Sequence, residues 1–425
     1  MILSSWGKNI KVNSDLQEVF VDITDLKKTN LDGFIPRGNA RSYGDSSLNK
    51  NICKYSPRQD VIQLNKNILT VSSNILLHKI LDYIVPKGYF LPVLPGTSFV
   101  SIGGAVASDI HGKNAHNHGN ISSFIEELVI FNGSKIVTAS RTENVDLFHA
   151  TLGGMGLTGL ILTIKIKLIN IKSNLIEQII TRYKNLDNLL DHLVNDSSEY
   201  SVGWMDISSG KFKRGVIFSG NHSQSAASES SSLIFKLRIP KIFPGMFINK
   251  FSISLFNKVY FFINKDKKEL VHYKKFFFPL DSLLNWNNLY GDKGLVQFQP
   301  IFKYGVAKTA FYEILEYIYT NNLNPTLCVI KNHKLINSNF LSFSDNGFSF
   351  AIDFKNVDGI SAHFKKLFLI VNKYDGKIYL TKDSFLKKND FQIMYPKWEQ
   401  FNEIRKIFDC DKFKSLQSKR LGLDG

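Results

Sequence analysis

The sequence predicts a chain of mixed helices and strands in which one domain is interrupted by another. Three observations carry this. Residues up to about 172 are dense in glycines, small residues and turn motifs. After Lys172 the glycines thin out, and longer strands and helices alternate. From Lys377 the chain turns polar and motif-like again, in KIYLTKDSFL. The expected domains are therefore 1–172, an inserted 173–376, and 377–425, which completes the first. At 425 residues the chain is long for one core, which agrees with more than one domain.

Taken in order, Val19–Ile23, Val61–Leu64 and Asn67–Ser72 read as short strands, with the loop Pro36–Asp45, PRGNARSYGD, between the first two. Asn74–Val85 has helical spacing and stops at Pro86-Lys87-Gly88. Leu91–Leu94 reads as a strand closed by Pro95-Gly96, and Ser101–Ser108 as a tightly packed helix of small residues. Glu126–Phe131 and Lys135–Ala139 form a hairpin across Asn132-Gly133. Asp146–Leu152 is helical, and Leu160–Ile169 alternates as a strand does. Ser223–Ser232, SQSAASESSS, reads as a mobile surface loop. Phe251–Phe262, Lys308–Asn321, Ile360–Asn372 and Trp398–Asp409 are expected helices, with strands at Gly294–Phe302 and Phe348–Phe354.

Fifty-three Lys and Arg against 37 Asp and Glu give a net charge of +16. Such a field suits a nucleic acid, an acidic membrane surface or a phosphate-bearing substrate, or reflects only a solubility bias. The three cysteines, Cys53, Cys328 and Cys410, are scattered, so neither a disulfide framework nor paired metal spacing follows. MILSSWGKNIKV lacks the apolar core of a signal peptide, and no uninterrupted apolar run is long enough for a membrane span. A cytoplasmic place is expected, with peripheral contact at the inner face of the membrane left open. Phe235–Ile263 is apolar but laced with lysines, which fits core helix and strand or a membrane interface.

Gly154-Met155-Gly156-Leu157-Thr158-Gly159 spells GxGxxG, but a helical segment precedes it and a strand follows. A dinucleotide fingerprint needs the reverse context, so these glycines serve another close approach. His111, His116 and His118 are too loosely spaced for a metal set, and no metal is expected. His111 beside Lys113 suits a group that contacts substrate, with a structural histidine as the alternative. Arg37–Asp45, Pro95–Thr97 and Ser101–Gly104 offer loop amides, which together can hold a pyrophosphate. Gln297 and Gln299 share one face of a strand and can offer amides to sugar hydroxyls. From spacing alone, Lys382 reads as a solvated lysine after a strand.

In this order, RSYGD, LPVLPGT, the IGGA–DIHGKN block, LFHAT with GGMGLTG, PLDSLLNWNNLYGDKGLVQFQ, YLTKDS and RLGL resemble the decaprenylphosphoryl-ribose 2′-oxidases, flavin enzymes of the vanillyl-alcohol-oxidase type. The resemblance covers essentially the whole chain and is weakest between about Ser173 and Lys274. It implies an α+β fold, with a two-part FAD-binding domain and an inserted substrate domain built on a large antiparallel sheet. It places FAD contacts on Arg37, Gly38, Asn39, Ala40, Arg41, Ser42, Tyr43, Gly44, Asp45, Gly96, Ser101, Ile102, Gly103, Gly104, Ser108, Asp109, Ile110, His111, Ile161 and Tyr379. Many relatives attach flavin covalently through a histidine in the first loop. Arg41 stands there instead, which implies non-covalent FAD.

The implied reaction is oxidation of a secondary sugar hydroxyl, the first half of a 2′-epimerisation completed by a separate NAD-dependent short-chain reductase. Lys382 matches the catalytic lysine, as base or as charged positioner, with His111 and Tyr43 beside it. Lys113, Gln297, Gln299 and Lys331 match substrate positions, the two lysines suiting a sugar phosphate. Two departures stand out: Ala351, where some relatives carry cysteine, and Ala40 in place of a more usual glycine. Three readings follow: oxidation of a polyprenyl-phosphate-linked sugar; flavin oxidation of a soluble sugar, aldonolactone or nucleotide-sugar; or a basic binding protein without catalysis. The last leaves the loops unexplained, and no nucleic-acid module is visible.

Overall fold

Alternation along one strand explains how the functional wall of this protein is built. Gly347–Lys355, GFSFAIDFK, places Phe348, Phe350, Ile352 and Phe354 on one face and Ser349, Ala351 and Asp353 on the other. The aromatic face is buried with Phe298, Cys328 and Ile330 against Phe311, Phe364 and Phe368. These last belong to the helices Tyr304–Thr320 and Ile360–Lys373. Phe311 stacks on Phe350 at 4.1 Å between centroids. Each such side chain contributes about 1.5–3 kcal/mol on burial, so a one-residue slip that exposed the row is strongly disfavoured. The polar face is thereby pinned toward the other half of the molecule.

The computed structural model describes residues 1–19, 31–225, 237–241 and 245–424. Gly347–Lys355 lies in a nine-stranded antiparallel sheet ordered Lys267–His272, Leu175–Tyr183, Arg214–His222, Tyr200–Asp206, Pro325–His333, Gly347–Lys355, Pro300–Lys303, Lys377–Ile378, with Leu295–Phe298 also paired to Gly347–Lys355. A second, five-stranded antiparallel sheet runs Ile136–Ser140, Ile125–Phe131, Leu160–Lys167, Ile68–Ser72, Ile62–Asn65. Its core takes in the helices Leu77–Ile84 and Ile102–Ala107. Three parallel strands, Asp15–Val19, Asn51–Tyr55 and Phe34–Pro36, form a smaller sheet.

The chain leaves the large sheet after Ile378, and Lys382 sits in the turn that follows, its amide donating to the Tyr379 carbonyl at 3.0 Å. The C-terminal helices then return to the N-terminal half. Buried Arg405 donates from Nε to Leu157 O at 3.1 Å, inside the GMGLTG segment.

Several elements differ from expectation. Leu91–Leu94 is a buried loop, and the strand beside it is Tyr89–Phe90; Pro92 and Pro95 have no N–H to give a ladder. Gly294–Phe302 is two strands, broken at Gln299 before Pro300. The expected Asn-Gly hairpin turn is longer, with Asn132 Oδ1 accepting from the amides of Ser134 and Lys135. Of the strand expected at Val19–Ile23 only Val19 is described, in the strand Asp15–Val19; its later residues lie outside the described ones, as do 226–232 of the expected serine-rich loop. GMGLTG makes left-handed turns at Met155, Gly156 and Gly159, between a helix and a strand as read. Lys250–Ile263 is a surface helix and not core.

Candidate active site

Between the two large sheets lies a cavity of about 1520 Å³. A pocket for one small-molecule ligand measures roughly 300–1,000 Å³, so this space can take a cofactor together with a substrate. One end of it is made by two loops held against each other. Asn39 Nδ2 donates to Phe99 O at 2.6 Å, and a Cβ at Gly38 would collide with Ser101 Oγ. Among the described residues, no carbonyl accepts from the backbone amides of Gly38 through Ser42, or from those of Gly96 and Thr97. Arg41 adds a guanidinium 4.1 Å over the Trp6 ring, with its buried Nε unpartnered. Burial lowers the Arg41 pKa, opposed by Asp281. Free amides beside a guanidinium with an unpartnered Nε form an anion cradle.

Ala40 holds this cradle in a left-handed conformation, φ 52°. That conformation costs an L-residue roughly 1–2 kcal/mol, of which glycine's greater unfolded entropy returns part. Ala40→Gly is expected to raise stability by about 0.5–1 kcal/mol, read as a higher denaturation midpoint. An unchanged or lower midpoint refutes the strain.

The middle of the cavity is walled by the polar face of the large sheet. Lys331 faces Ser349 across the ladder, and both Gln297 and Leu327 face Asp353. Gln297 Nε2 donates to Asp353 Oδ1 at 2.5 Å. Gln299 Nε2 lies 3.0 Å from His111 Nε2. Whichever way that amide is turned, His111 Nδ1 is left buried without a partner. His111 packs 5.1 Å from His333, 5.4 Å from Phe343 and 4.8 Å from Tyr379, whose hydroxyl donates to Ser108 O at 2.8 Å. Lys382 Nζ stands 3.6 Å above the Tyr43 ring.

Burial sets the protonation states. It drives His111 well below the ordinary histidine value, helped by Lys331, and His333 to about 3. Both rings are neutral. Burial lowers Lys331 to about 8, and burial together with Lys331 lowers Lys113 to about 7. Lys382 is lowered by burial, with Asp353 opposing and Lys331 adding to the effect. Asp353 is raised by burial, against the bond from Gln297 and the charge of Lys382. The Tyr43 phenol is pushed well above its usual range, first by burial and then by Asp353.

The cavity thus brings together Tyr43, His111, Lys113, Gln297, Gln299, Lys331, Tyr379 and Lys382. Lys382 is half-buried in its wall, which excludes the reading as a solvated lysine. Arg37 through Ser42, Gly96, Ser101, Gly103, Gly104, Ser108, Ile110 and Ile161 also border it. Four expected contacts turn elsewhere. Gly44 packs against the Asp383 carbonyl, Asp45 pairs with Arg420, and Ile102 is core. Asp109 accepts from Asn120, the Ser122 amide, Asn337 and Asn339. A loop or helical turn presents only part of its circumference to one space, and these residues hold the rest. His116 meets Ser198 O at 3.0 Å and His118 meets Asn114 at 3.2 Å, so the three histidines do not converge. His333 and Asp353 were missed by sequence reasoning; the big-small alternation of GFSFAIDFK was the available signal for Asp353.

The FAD binding domain family matches residues 20–139, which contain both cradle loops. Over 99% of its length the chain is 29% identical to decaprenylphosphoryl-beta-D-ribose oxidase of Mycolicibacterium smegmatis, covering 97% of that protein. The chain is an FAD-dependent oxidoreductase. The enzyme is also 28% identical to D-arabinono-1,4-lactone oxidase of Candida glabrata, but over only 32% of this chain and 26% of that one. The cavity fits the cofactor. Its amide cradle with unpartnered Arg41 Nε suits a pyrophosphate, and the space exceeds one ligand.

Proposed function

We propose that the enzyme oxidises a secondary hydroxyl of a polyprenyl-phosphate-linked sugar. When bound, FAD supplies the two-electron acceptor for the hydride lost from the carbinol carbon. Residues 1–172 and 377–425 are read as its two-part domain, holding it through the amides of Gly38 to Ser42 and of Gly96 with Arg41. Gln297 and Gln299 offer amides to the sugar hydroxyls. Lys382 takes the hydroxyl proton on Nζ, and neutral His111 fixes Gln299. Tyr43 and Tyr379 exclude water.

The observation that carries the reading is the lysine cluster. Lys113, Lys331 and Lys382 line one cavity; burial lowers each of them, Lys331 adds to the lowering of the other two, and Asp353 opposes it at Lys382. A bound phosphate would restore their charge, whereas a neutral lactone would not. The full-length likeness to an oxidase of a phosphoryl sugar supports the same choice, while the lactone-oxidase likeness stops within a third of the chain. The ketone product calls for a separate nicotinamide-dependent reductase.

The test is anaerobic bleaching of the bound flavin by a polyprenyl-phosphate-linked pentose and by the free pentose. Bleaching by the phosphate-linked sugar alone is expected, and equal bleaching by both refutes the assignment. Because Arg41 stands where relatives carry the linking histidine, acid precipitation should release all the flavin to the supernatant. Colour retained in the pellet would show a covalent bond.

A further inference from the structure

The helix Lys250–Ile263 carries its apolar stripe outward. Phe251 is 78% exposed and Ile263 70%, and Leu255, Phe256, Val259 and Phe262 are exposed between them. Met246 and Phe247, in the turn before the helix, extend the patch. The helix is locked in this orientation from the inside. Asn257 is buried and donates to Asp206 Oδ1 at 2.9 Å, and Asp206 in turn pairs with Arg214 at 3.1 Å. Phe261 is buried with Ile180, Trp204 and Val216. Polar Asn257 therefore faces in beside Phe261, while Phe251, Phe256 and Phe262 face out, the reverse of a helix whose apolar face is spent on a core. Contiguous exposed apolar surface of this kind marks a place of interaction.

Two further observations identify the occupant. Exposed Lys258 lies on the helix itself, exposed Lys265 just after it, and exposed Lys268 and Lys275 on the strand and short helix that follow; none of the four makes an ion pair among the described residues. Apolar side chains within a basic rim match the interface of an anionic bilayer. The same helix also walls the cavity, through Ile253, Phe256, Tyr260 and Ile263. One element thus borders both the outer surface and the space that holds Lys382. Among the described residues no helix is long and apolar enough to cross a membrane.

We propose that this surface docks on anionic lipid bilayers, and that the cavity opens beside Phe256 and Ile263 toward the acyl region, where an isoprenoid tail enters. The tail path rests on the proposed substrate; the docking does not.

The experiment therefore uses no sugar. FAD-loaded protein is floated with phosphatidylcholine vesicles that contain or lack phosphatidylglycerol. Wild type should float with the anionic vesicles and lose that binding at high salt. The double variant Phe251→Ser/Phe262→Ser should bind about tenfold or more weakly, with its flavin spectrum and far-UV circular dichroism unchanged. Lys258→Glu/Lys265→Glu, which leaves the apolar face intact, should weaken binding by about tenfold as well. Wild type that stays with the protein fraction, or variants that float as it does, overturn the proposal. So does a dimer that dissociates in the serine variant, since the patch would then join two copies. Flavin bleaching by a short-chain phosphate-linked sugar should be the same in both variants. That readout keeps failure of docking apart from failure of the substrate reading.

Discussion

Lys382→Ala is expected to slow bleaching of the flavin by substrate about 100- to 10,000-fold, the usual worth of a positioned acid or base, while FAD stays bound. Retention follows because the amide cradle is built from other loops. The loss follows because neither Tyr43 nor His111 can replace the amine. Tyr43 lies under Lys382 Nζ at 3.6 Å, but burial holds its phenol protonated well above the ordinary value. His111 is kept neutral by burial and Lys331, and weakly basic as a result. Lys382, like Lys113 and Lys331 in the same cavity, has its proton equilibrium moved toward neutrality by burial, with Asp353 opposing at Lys382.

The pH profile then has a definite sign. A base must be the neutral amine, so the rate should rise with pH through the lowered Lys382 pKa and level off above it. Lys382→Met should abolish that limb. A rate that falls over the same range would identify a charged positioner instead, and a Lys382→Ala enzyme that bleaches at the wild-type rate would remove the residue from the mechanism.

The parts of the site legible in sequence are those where polar residues interrupt an apolar strand or crowd a loop. Gln297, Gln299, Lys113 and the amide loops stand out for that reason. Asp353 did not, because GFSFAIDFK announces a strand without saying which face meets a cavity; that depends on helices packed from elsewhere. His333 follows Lys331 by one full alternation and shares its face, yet a single histidine at a strand end carries no local mark. The outward helix Lys250–Ile263 has the composition of a core helix, and only the buried Asn257–Asp206 bond fixes which side faces in. The mixed secondary structure could be read from periodicity, but the strand order of the large sheet rests on long-range pairing that no local pattern encodes.

Arg420 is the clearest case of such distance, since its partner Asp45 is 375 residues away in the chain. Its guanidinium meets Asp45 Oδ1 at 2.6 Å and Asp383 Oδ2 at 2.8 Å, and both carboxylates are almost fully buried. Burial alone would lower the arginine, yet Asp383 and Asp45 raise it, which marks a tightly held charge. Arg420→Ala leaves two buried carboxylates without a counter-charge, at a cost of about 3–5 kcal/mol. Urea unfolding should show the loss as a lower midpoint. The loss should shrink in acid, because an unpaired buried carboxylate has a raised folded-state pKa and gains stability as pH falls through it. Asp45 follows Tyr43 by two residues and Asp383 follows Lys382 directly, so the clamp also joins the loop proposed to hold the cofactor to the turn that carries Lys382. Weaker FAD retention should therefore accompany the lower midpoint, with Arg420→Lys recovering part of both. A midpoint equal to wild type at neutral pH would show that the clamp is dispensable.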